Sequence, residues 1–407
     1  MNHPYPQDDT LSLLKAGKLQ GSSRLKLSCG LSQFPAEIFT LADTLEILDL
    51  SGNALSTLPD DLTRLHKLKI LFCSSNLFTH LPEVLGKCQS LSMIGFKTNQ
   101  INQISENAIP TQALRWLILT DNALTRLPDS LGDCQHMQKL MLAGNQLKSL
   151  PGTLANCKKL ELLRISANQL QSLPEWLFSL PKLSWLAYAG NPFSDEIENK
   201  SVPQHSITQI GWADLTLQHK LGEGASGSTY KAIWQPENQA PQDVAVKLFK
   251  SGLTSDGLPR SEMHANILAG EHPNLAGVIG VVHNHPQGLM GMVMPLLDAD
   301  LEILAEPPSF ESCSRDVYAQ DLKLSHREMQ HILYGVHQAC HHLHAQGIMH
   351  GDLYAHNILW NAQKVVLSDL GAASFLPLDN QVLRRHLLKL EARALEVLSQ
   401  ELLHRNI

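Results

Sequence analysis

Between Ser22 and Asn191 the apolar positions recur every 23 residues as L-x-x-L-x-L-x-x-N-x-L, seen in LEILDLSGNAL, LRWLILTDNAL and LELLRISANQL. Asparagine marks each period, at Asn53, Asn76, Asn99, Asn122, Asn145, Asn168 and Asn191. The pattern predicts a short strand with leucines pointing inward, an asparagine whose side chain serves backbone groups at the turn, and a returning segment. Most periods then carry Leu-Pro, at Leu58-Pro59, Leu81-Pro82, Leu127-Pro128, Leu150-Pro151 and Leu173-Pro174, where proline ends the strand and starts the return path. The third carries Ile104-Ser105 instead. No unit of this size buries its leucines alone, so the units must stack into one curved solenoid.

Beyond Asn191 the period is lost. PFSDEIENKSVPQHS is polar and is expected to close the stack and lead onward, while TLSLLKAGK predicts a cap helix over the first repeat's open end. From Leu215 a different alternation begins: a glycine-bearing hairpin, the strand Val244 to Lys247, and a helical segment in SEMHANILAGEHPN. A buried strand, GLMGMVMPLLDADL, follows, and then SHREMQHILYGVHQACHHLHAQ has helical period with Gly347 as its stop. LEARALEVLSQELLHRN predicts a last helix. The expected division is a cap over 1–24, repeats over 25–193, a linker over 194–214 and a second domain over 215–407. The repeats resemble the leucine-rich repeat family.

What such a solenoid meets is read from its variable strand positions. Here they hold Ile47, Ile70, Phe72, Met93, Trp116, Ile118, Met141, Leu162 and Trp185, too apolar a series for a plain solvent-facing sheet. Two occupants stay open: an external protein partner on the concave face, or the chain's own second domain or linker.

Composition narrows the class. Among 407 residues, 43% are hydrophobic and 17% charged, which describes a globular chain. The net charge of -7 leaves no basic footprint for nucleic acid or anionic membrane. The first residues have no basic stretch leading into an apolar one and no later window approaches a membrane span, so neither a signal peptide nor a span is expected, and the location expected is cytoplasmic. Seven cysteines with no C-x-x-C pair argue against a disulfide framework or zinc site. Cys88, Cys134 and Cys157 occupy the repeat position that holds Leu65 and Leu180 elsewhere, and read as small core residues. His337 and His341 lie four apart on a helix without a third ligand, and read as surface or core.

The chemistry concentrates in HGDLYAHNILWNAQKVVLSDLG, His350 to Gly371. It holds His350, Asp352 and Asn357 as H-x-D-L-x-x-x-N, then Asp369-Leu370-Gly371 after an apolar run. A hydroxyl attacking the γ-phosphate of ATP needs a group to orient it and accept its proton, which a carboxylate at Asp352 can do. Magnesium needs hard oxygen ligands, which Asp369 and the Asn357 amide oxygen would supply. Upstream, Gly222, Gly224 and Gly227 form G-x-G-x-x-G, and Lys247 ends the strand VAVK; backbone amides over a triphosphate with a cation beside it make a nucleotide grip. Glu262 is the preferred partner for Lys247, with Glu271 the alternative. Met294 would line the back of the adenine site, and Pro295 to Leu297 would form the hinge, with the Leu297 amide free to donate.

In order and spacing, these motifs from about Leu215 to Asp369 resemble the protein kinase family, and the whole chain resembles bacterial leucine-rich repeat proteins fused to a kinase domain. The resemblance implies a mixed α/β and α+β chain: a solenoid followed by a two-lobed kinase-like domain with ATP between the lobes. By matching position it implies Lys247 on the α- and β-phosphates, Glu262 as its partner, and Asp352 as the base. Asn357 and Asp369 would hold Mg2+, and Leu221 would join the glycines, Met294 and Leu297 around the nucleotide. The implied activity is phosphoryl transfer to a protein hydroxyl, most simply serine or threonine.

Three departures bear on that expectation. Gly351 stands where the family has the arginine of H-R-D, which argues against switching by a phosphorylated loop. Tyr354 stands where serine/threonine kinases carry a lysine, so that cation is missing. After Gly371 no A-P-E motif appears, Glu391 falls near the place of an anchoring aspartate, and a C-lobe shortened of its late helices is expected. A nucleotide-binding scaffold and a small-molecule phosphotransferase therefore remain as alternative functions.

Overall fold

The computed structural model describes residues 7–201, 207–224, 226–250, 252–254 and 256–406. Helix α1, Gln7–Lys15, precedes the repeats and buries Leu14. The repeat strands are β1 (Arg24–Lys26), β2 (Ile47–Asp49), β3 (Ile70–Phe72), β4 (Met93–Gly95), β5 (Trp116–Ile118), β6 (Lys139–Met141), β7 (Leu162–Arg164) and β8 (Trp185–Ala187). From β1 to β6 each pairs in parallel with the next, so that Ile47, Ile70, Met93, Trp116 and Lys139 share one register row. Strands this short persist because the aliphatic side chain at the centre of each is fully buried, as at Leu48, Leu71, Ile94 and Leu117.

The asparagines act as a backbone ladder. Asn76 accepts from the Leu55 amide at 2.9 Å and donates to the Leu50 carbonyl at 2.9 Å, and Asn145 repeats this with Leu124 and Leu119 at 3.0 and 2.9 Å. Each buried turn thereby gains partners for groups that no strand can satisfy. Prolines 59, 82, 128, 151 and 174 each precede a 3-10 return segment. At the departing repeat Ser105 takes that place, its hydroxyl accepting from the Asn107 amide at 3.3 Å. Cys88, Cys134 and Cys157 end these returns just as Leu65 and Leu180 do, and burial pushes their thiols up to about 11, 12 and 11.

The compact units do not follow the repeat boundary. One comprises Met1–Leu163 with Asn168–Leu183; the other comprises Arg164–Ala167 with Ser184–Ile407. The last residue of β7 and all of β8 thus belong to the second unit. So does the stretch expected as a linker, which carries helix α2 (Pro192–Ser201) and strand β9 (Thr208–Gly211).

In the second unit a six-stranded sheet contains β9, β10 (Leu215–Glu223), β11 (Gly227–Trp234), β12 (Gln242–Phe249), β13 (Gly280–His283) and β14 (Gly291–Pro295), in the order β10-β11-β12-β14-β13-β9. All pairs are antiparallel except β13 with β9. Helix α3 (Pro259–Ala269) separates β12 from β13. After β15 (Glu302–Ile303) comes α4 (His326–Ala345), started by a Ser325/Glu328 capping box and stopped at Gly347, whose φ is +77°. Its buried face, from Met329 through Ile332, Val336 and Cys340 to Leu343, packs on β18 (Val365–Leu367). Gly335 makes this approach possible, since a Cβ there would lie 2.6 Å from the Val365 side chain. Strands β16 (Ile348–Met349), β17 (Ile358–Trp360), β18 and β19 (Ser374–Phe375) frame two loops, and α5 (Gln381–Leu403) is the last described helix.

Candidate active site

The glycine segment joins β10 to β11. Gly224 donates to the Gly227 carbonyl at 2.9 Å, and Gly227 tolerates no side chain, because a Cβ would lie 2.4 Å from the Leu248 carbonyl. Gly222 and Gly224 face open space, and Leu221 beside them is exposed. Lys247 lies on β12, opposite Thr229 and Met292, and its ammonium forms an ion pair with Glu262 in the first turn of α3. Glu271, the other candidate, falls beyond the helix and its Gly270 cap. Burial works against the Lys247 charge, but the Glu262 and Asp369 carboxylates outweigh it and hold the ammonium above its ordinary pKa. Burial lifts the Glu262 carboxyl, with Lys247 opposing. Met294 pairs with Ala245 at the end of β14, ahead of Pro295 and half-buried Leu297.

Helix α3 is held from outside the motifs. Glu198 of α2, fully buried, accepts from the Ser261 hydroxyl at 3.0 Å and pairs with His264 at 2.6 Å. The turn before α3 is closed by Thr254, whose hydroxyl accepts from the amides of Asp256 and Gly257 at 3.2 and 3.0 Å. Nothing in the sequence of α2 distinguishes Glu198 from a solvated carboxylate.

On the other side, β16 leads into the His350 loop. His350 is buried, donating from Nε2 to the Ser368 carbonyl at 3.0 Å while its Nδ1 accepts from the Asp352 amide at 3.2 Å. The Asn357 amide donates to Asp352 twice, to the carbonyl at 2.9 Å and to Oδ2 at 3.0 Å. Ser368 ties the two loops together, its amide and hydroxyl both donating to the Asn357 carbonyl at 2.8 and 3.0 Å. Asp369 then takes φ of +57°, an uncommon conformation for a side-chain-bearing residue, and its Oδ1 accepts from the Gly371 amide at 3.0 Å. Glu391 of α5 accepts from the Gly351 amide at 2.9 Å and pairs with His344, so the last helix anchors the loop.

The donor set fits a hard divalent cation. With the Asn357 nitrogen bound to Asp352, its oxygen is the atom that would be left for a cation, and Asp369 has Oδ2 beyond the oxygen bonded to Gly371.

One residue outside the site's own sequence motifs dominates this loop. Arg164, on β7, is fully buried and bonds to Asp352, to the Gly351 carbonyl at 3.0 Å, and to Asp256 at 2.8 Å. Burial works against the charge on Asp352, but Arg164 first, then His356, His350 and the Asn357 amide, carry it below the usual carboxylate range. Its sequence signal was a charge in a variable strand position, among neighbours that are apolar. Trp185 of β8, one of those neighbours, stacks on Tyr354 at 4.2 Å and donates to the Leu353 carbonyl at 3.0 Å. Tyr188 donates from its hydroxyl to the Phe375 carbonyl at 2.9 Å. Asp316 is a further unforeseen partner, accepting from the Ala355 amide at 2.6 Å and pairing with His356 at 2.7 Å.

Residues 215–406 match the family described as protein tyrosine and serine/threonine kinase, and residues 112–170, 135–193 and 44–65 match leucine-rich repeat families. The chain joins leucine-rich repeats to a protein kinase domain. A kinase domain of this kind implies ATP and a divalent metal. A putative serine/threonine-protein kinase of Acanthamoeba polyphaga mimivirus is 27% identical over 189 residues, which are 45% of this chain and 31% of the relative. Probable serine/threonine-protein kinase gdt4 of Dictyostelium discoideum is 28% identical over 162 residues, 37% of this chain and 8% of the relative. The chain thus spans 31% and 8% of these relatives' lengths. A Leptospira interrogans leucine-rich repeat protein of known structure is similar over 49% of this chain and 56% of its own, at 26% identity and a TM-score of 0.37.

Proposed function

We propose that this chain is an ATP- and Mg2+-dependent protein kinase that transfers the γ-phosphate to a serine or threonine hydroxyl. The observation that carries the proposal is the buried ion pair of Lys247 with Glu262, electrostatically coupled to Asp369, in the same compact unit as the Asp352–Asn357 pair. In this reading Lys247 holds the α- and β-phosphates, and Gly222, Gly224 and Gly227 cradle them. Leu221, Met294 and the Leu297 amide hold the purine. Asn357 and Asp369 hold the magnesium, whose charge neutralises the phosphates. Asp352, kept ionised, orients the acceptor hydroxyl and takes its proton.

The repeats would bind a protein partner or substrate on their concave face. Support comes from the half-buried apolar side chains of Phe72, Trp116, Ile118 and Met141 on neighbouring repeat strands, whereas Ile70 and Met93 of the same series are buried. The reading places the chain in the cytoplasm, in keeping with seven cysteines that are thiols rather than disulfides. Among the described residues no helix is long and apolar enough to cross a membrane.

Transfer from γ-labelled ATP to a generic basic protein, with Mg2+, tests the proposal. Label on serine or threonine, reduced about 100-fold or more in Lys247→Ala and Asp369→Asn, is expected. An intact chain that melts higher with ATP yet transfers nothing would overturn it in favour of a scaffold.

A further inference from the structure

The His350 loop contains no lysine or arginine between His350 and Asn357, since Gly351 and Tyr354 occupy the two positions noted above. A guanidinium reaches it instead from β7. The Arg164 guanidinium places Nη2 on Asp352 Oδ1, Nη1 on the Gly351 carbonyl and Nε on Asp256 Oδ1. Asn357 holds the other Asp352 oxygen, so the carboxylate is fixed at both ends and has one orientation. Asp256 belongs to the turn that leads into α3 and Glu262, so one planar fork is bonded to the segments bearing both halves of the site.

Gly351 records the same approach. With φ of +73°, a Cβ there would lie 2.5 Å from the Ala372 carbonyl and 2.8 Å from that of Leu186 in β8. The Ala372 and Leu186 carbonyls together exclude a side chain at 351 while Arg164 supplies a charge beside it.

We propose that Arg164 is a positioning residue of the kinase reaction, holding the Asp352 carboxylate in its working orientation and lending the loop a guanidinium where its own sequence has neither lysine nor arginine. The proposal rests on the kinase reading. A plug that must leave for activity is the competing role, and the geometry disfavours it: departure would break the bonds to Asp256, Gly351 and Asp352 together and leave the mostly buried Asp352 carboxylate without its guanidinium partner. Asp352 meanwhile keeps 18% of its side-chain surface exposed, open to an acceptor hydroxyl. Orientation of this kind acts on the chemical step, not on nucleotide binding.

The test compares the intact chain with Arg164→Ala and Arg164→Lys in labelled transfer and in ATP-dependent thermal stabilisation. Arg164→Ala should lose about 10- to 100-fold in kcat, with the KM for ATP and the ATP-dependent melting shift kept, and added methylguanidinium should restore part of the rate. Should the alanine variant fail to fold, Arg164→Lys decides: it keeps a buried cation but cannot span both carboxylates, and should lower kcat at unchanged KM. Full activity in the folded variants, or activity above the intact chain, overturns the proposal. So does a loss of transfer accompanied by loss of the ATP melting shift and not recovered by methylguanidinium, which marks a purely structural role. An intact chain that transfers nothing overturns the kinase reading and this proposal with it; an active intact chain matched by Arg164→Ala overturns this proposal alone.

Discussion

At Gly351 a single missing side chain links sequence to packing. Its left-handed backbone and the two carbonyls inside 3 Å of a would-be Cβ leave no room even for a methyl group. Gly351→Ala should therefore destabilise the fold by about 1–3 kcal/mol, read as a lower melting temperature; an unchanged melting temperature would show that β8 does not press on this loop. Glu391, which holds the Gly351 amide, gives a pH prediction. Burial raises its carboxyl, but the His344 hydrogen bond and charge, then His350 and the Gly351 amide, bring it below its ordinary value. A folded pKa below the unfolded one means stability that is present above the usual glutamate range, about pH 4.3, and lost as pH falls through the folded value. The melting-temperature advantage of the intact chain over Glu391→Gln should shrink as pH is lowered below about 4.3; a constant advantage from pH 7 to pH 3 would refute the assignment. Most of this site was legible in sequence because its groups sit close along the chain: five residues separate Asp352 from Asn357, and 15 separate Lys247 from Glu262. Arg164 lies 188 residues from Asp352, and no local spacing reports a contact of that length.

Among the elements, α2 illustrates why polar composition misleads. PFSDEIENKS reads as linker because its carboxylates outnumber its apolar residues, yet Ser194 and Glu198 are fully buried. Glu198 directs its carboxylate at Ser261 and His264, both on α3, one residue before and two after Glu262. These contacts hold α3 on both sides of Glu262, the residue that pairs with Lys247. Glu198→Ala should cost about 1–3 kcal/mol of stability and, if α3 is aimed by this contact, weaken ATP binding as well; a variant that loses stability yet keeps its affinity for ATP would confine Glu198 to a packing role. The repeat strands show the opposite case. Their leucine period and asparagine ladder act within each unit and its neighbour, so strand, turn and return were all readable from one period. Strand β9 was not, since four residues, TQIG, join a sheet edge only because β13 is there to pair with.

For the molecule as a whole, the family match begins at residue 215 while the compact unit that contains it begins its continuous part at Ser184 and includes Arg164–Ala167. The two boundaries make different predictions about what folds. If residues 215–406 were self-sufficient, a fragment of residues 207–407 would keep its ATP-dependent stabilisation. The structure argues otherwise, because that fragment loses the buried Trp185 and Tyr188, the Arg164 fork, and the Glu198 clamp on α3. Burying a large side chain contributes about 1.5–3 kcal/mol, and a domain's whole margin is about 5–15 kcal/mol, so losing two aromatics together with two buried polar networks removes most of it. Stripping them also bares the apolar surface around Leu353 and Phe375, a route to self-association. The 207–407 fragment should therefore run as aggregate in size-exclusion chromatography and show no melting shift with ATP, whereas the full chain shows one. A monomeric fragment with the full chain's ATP shift would mean that the last repeat strand and α2 lean on a kinase domain that does not need them.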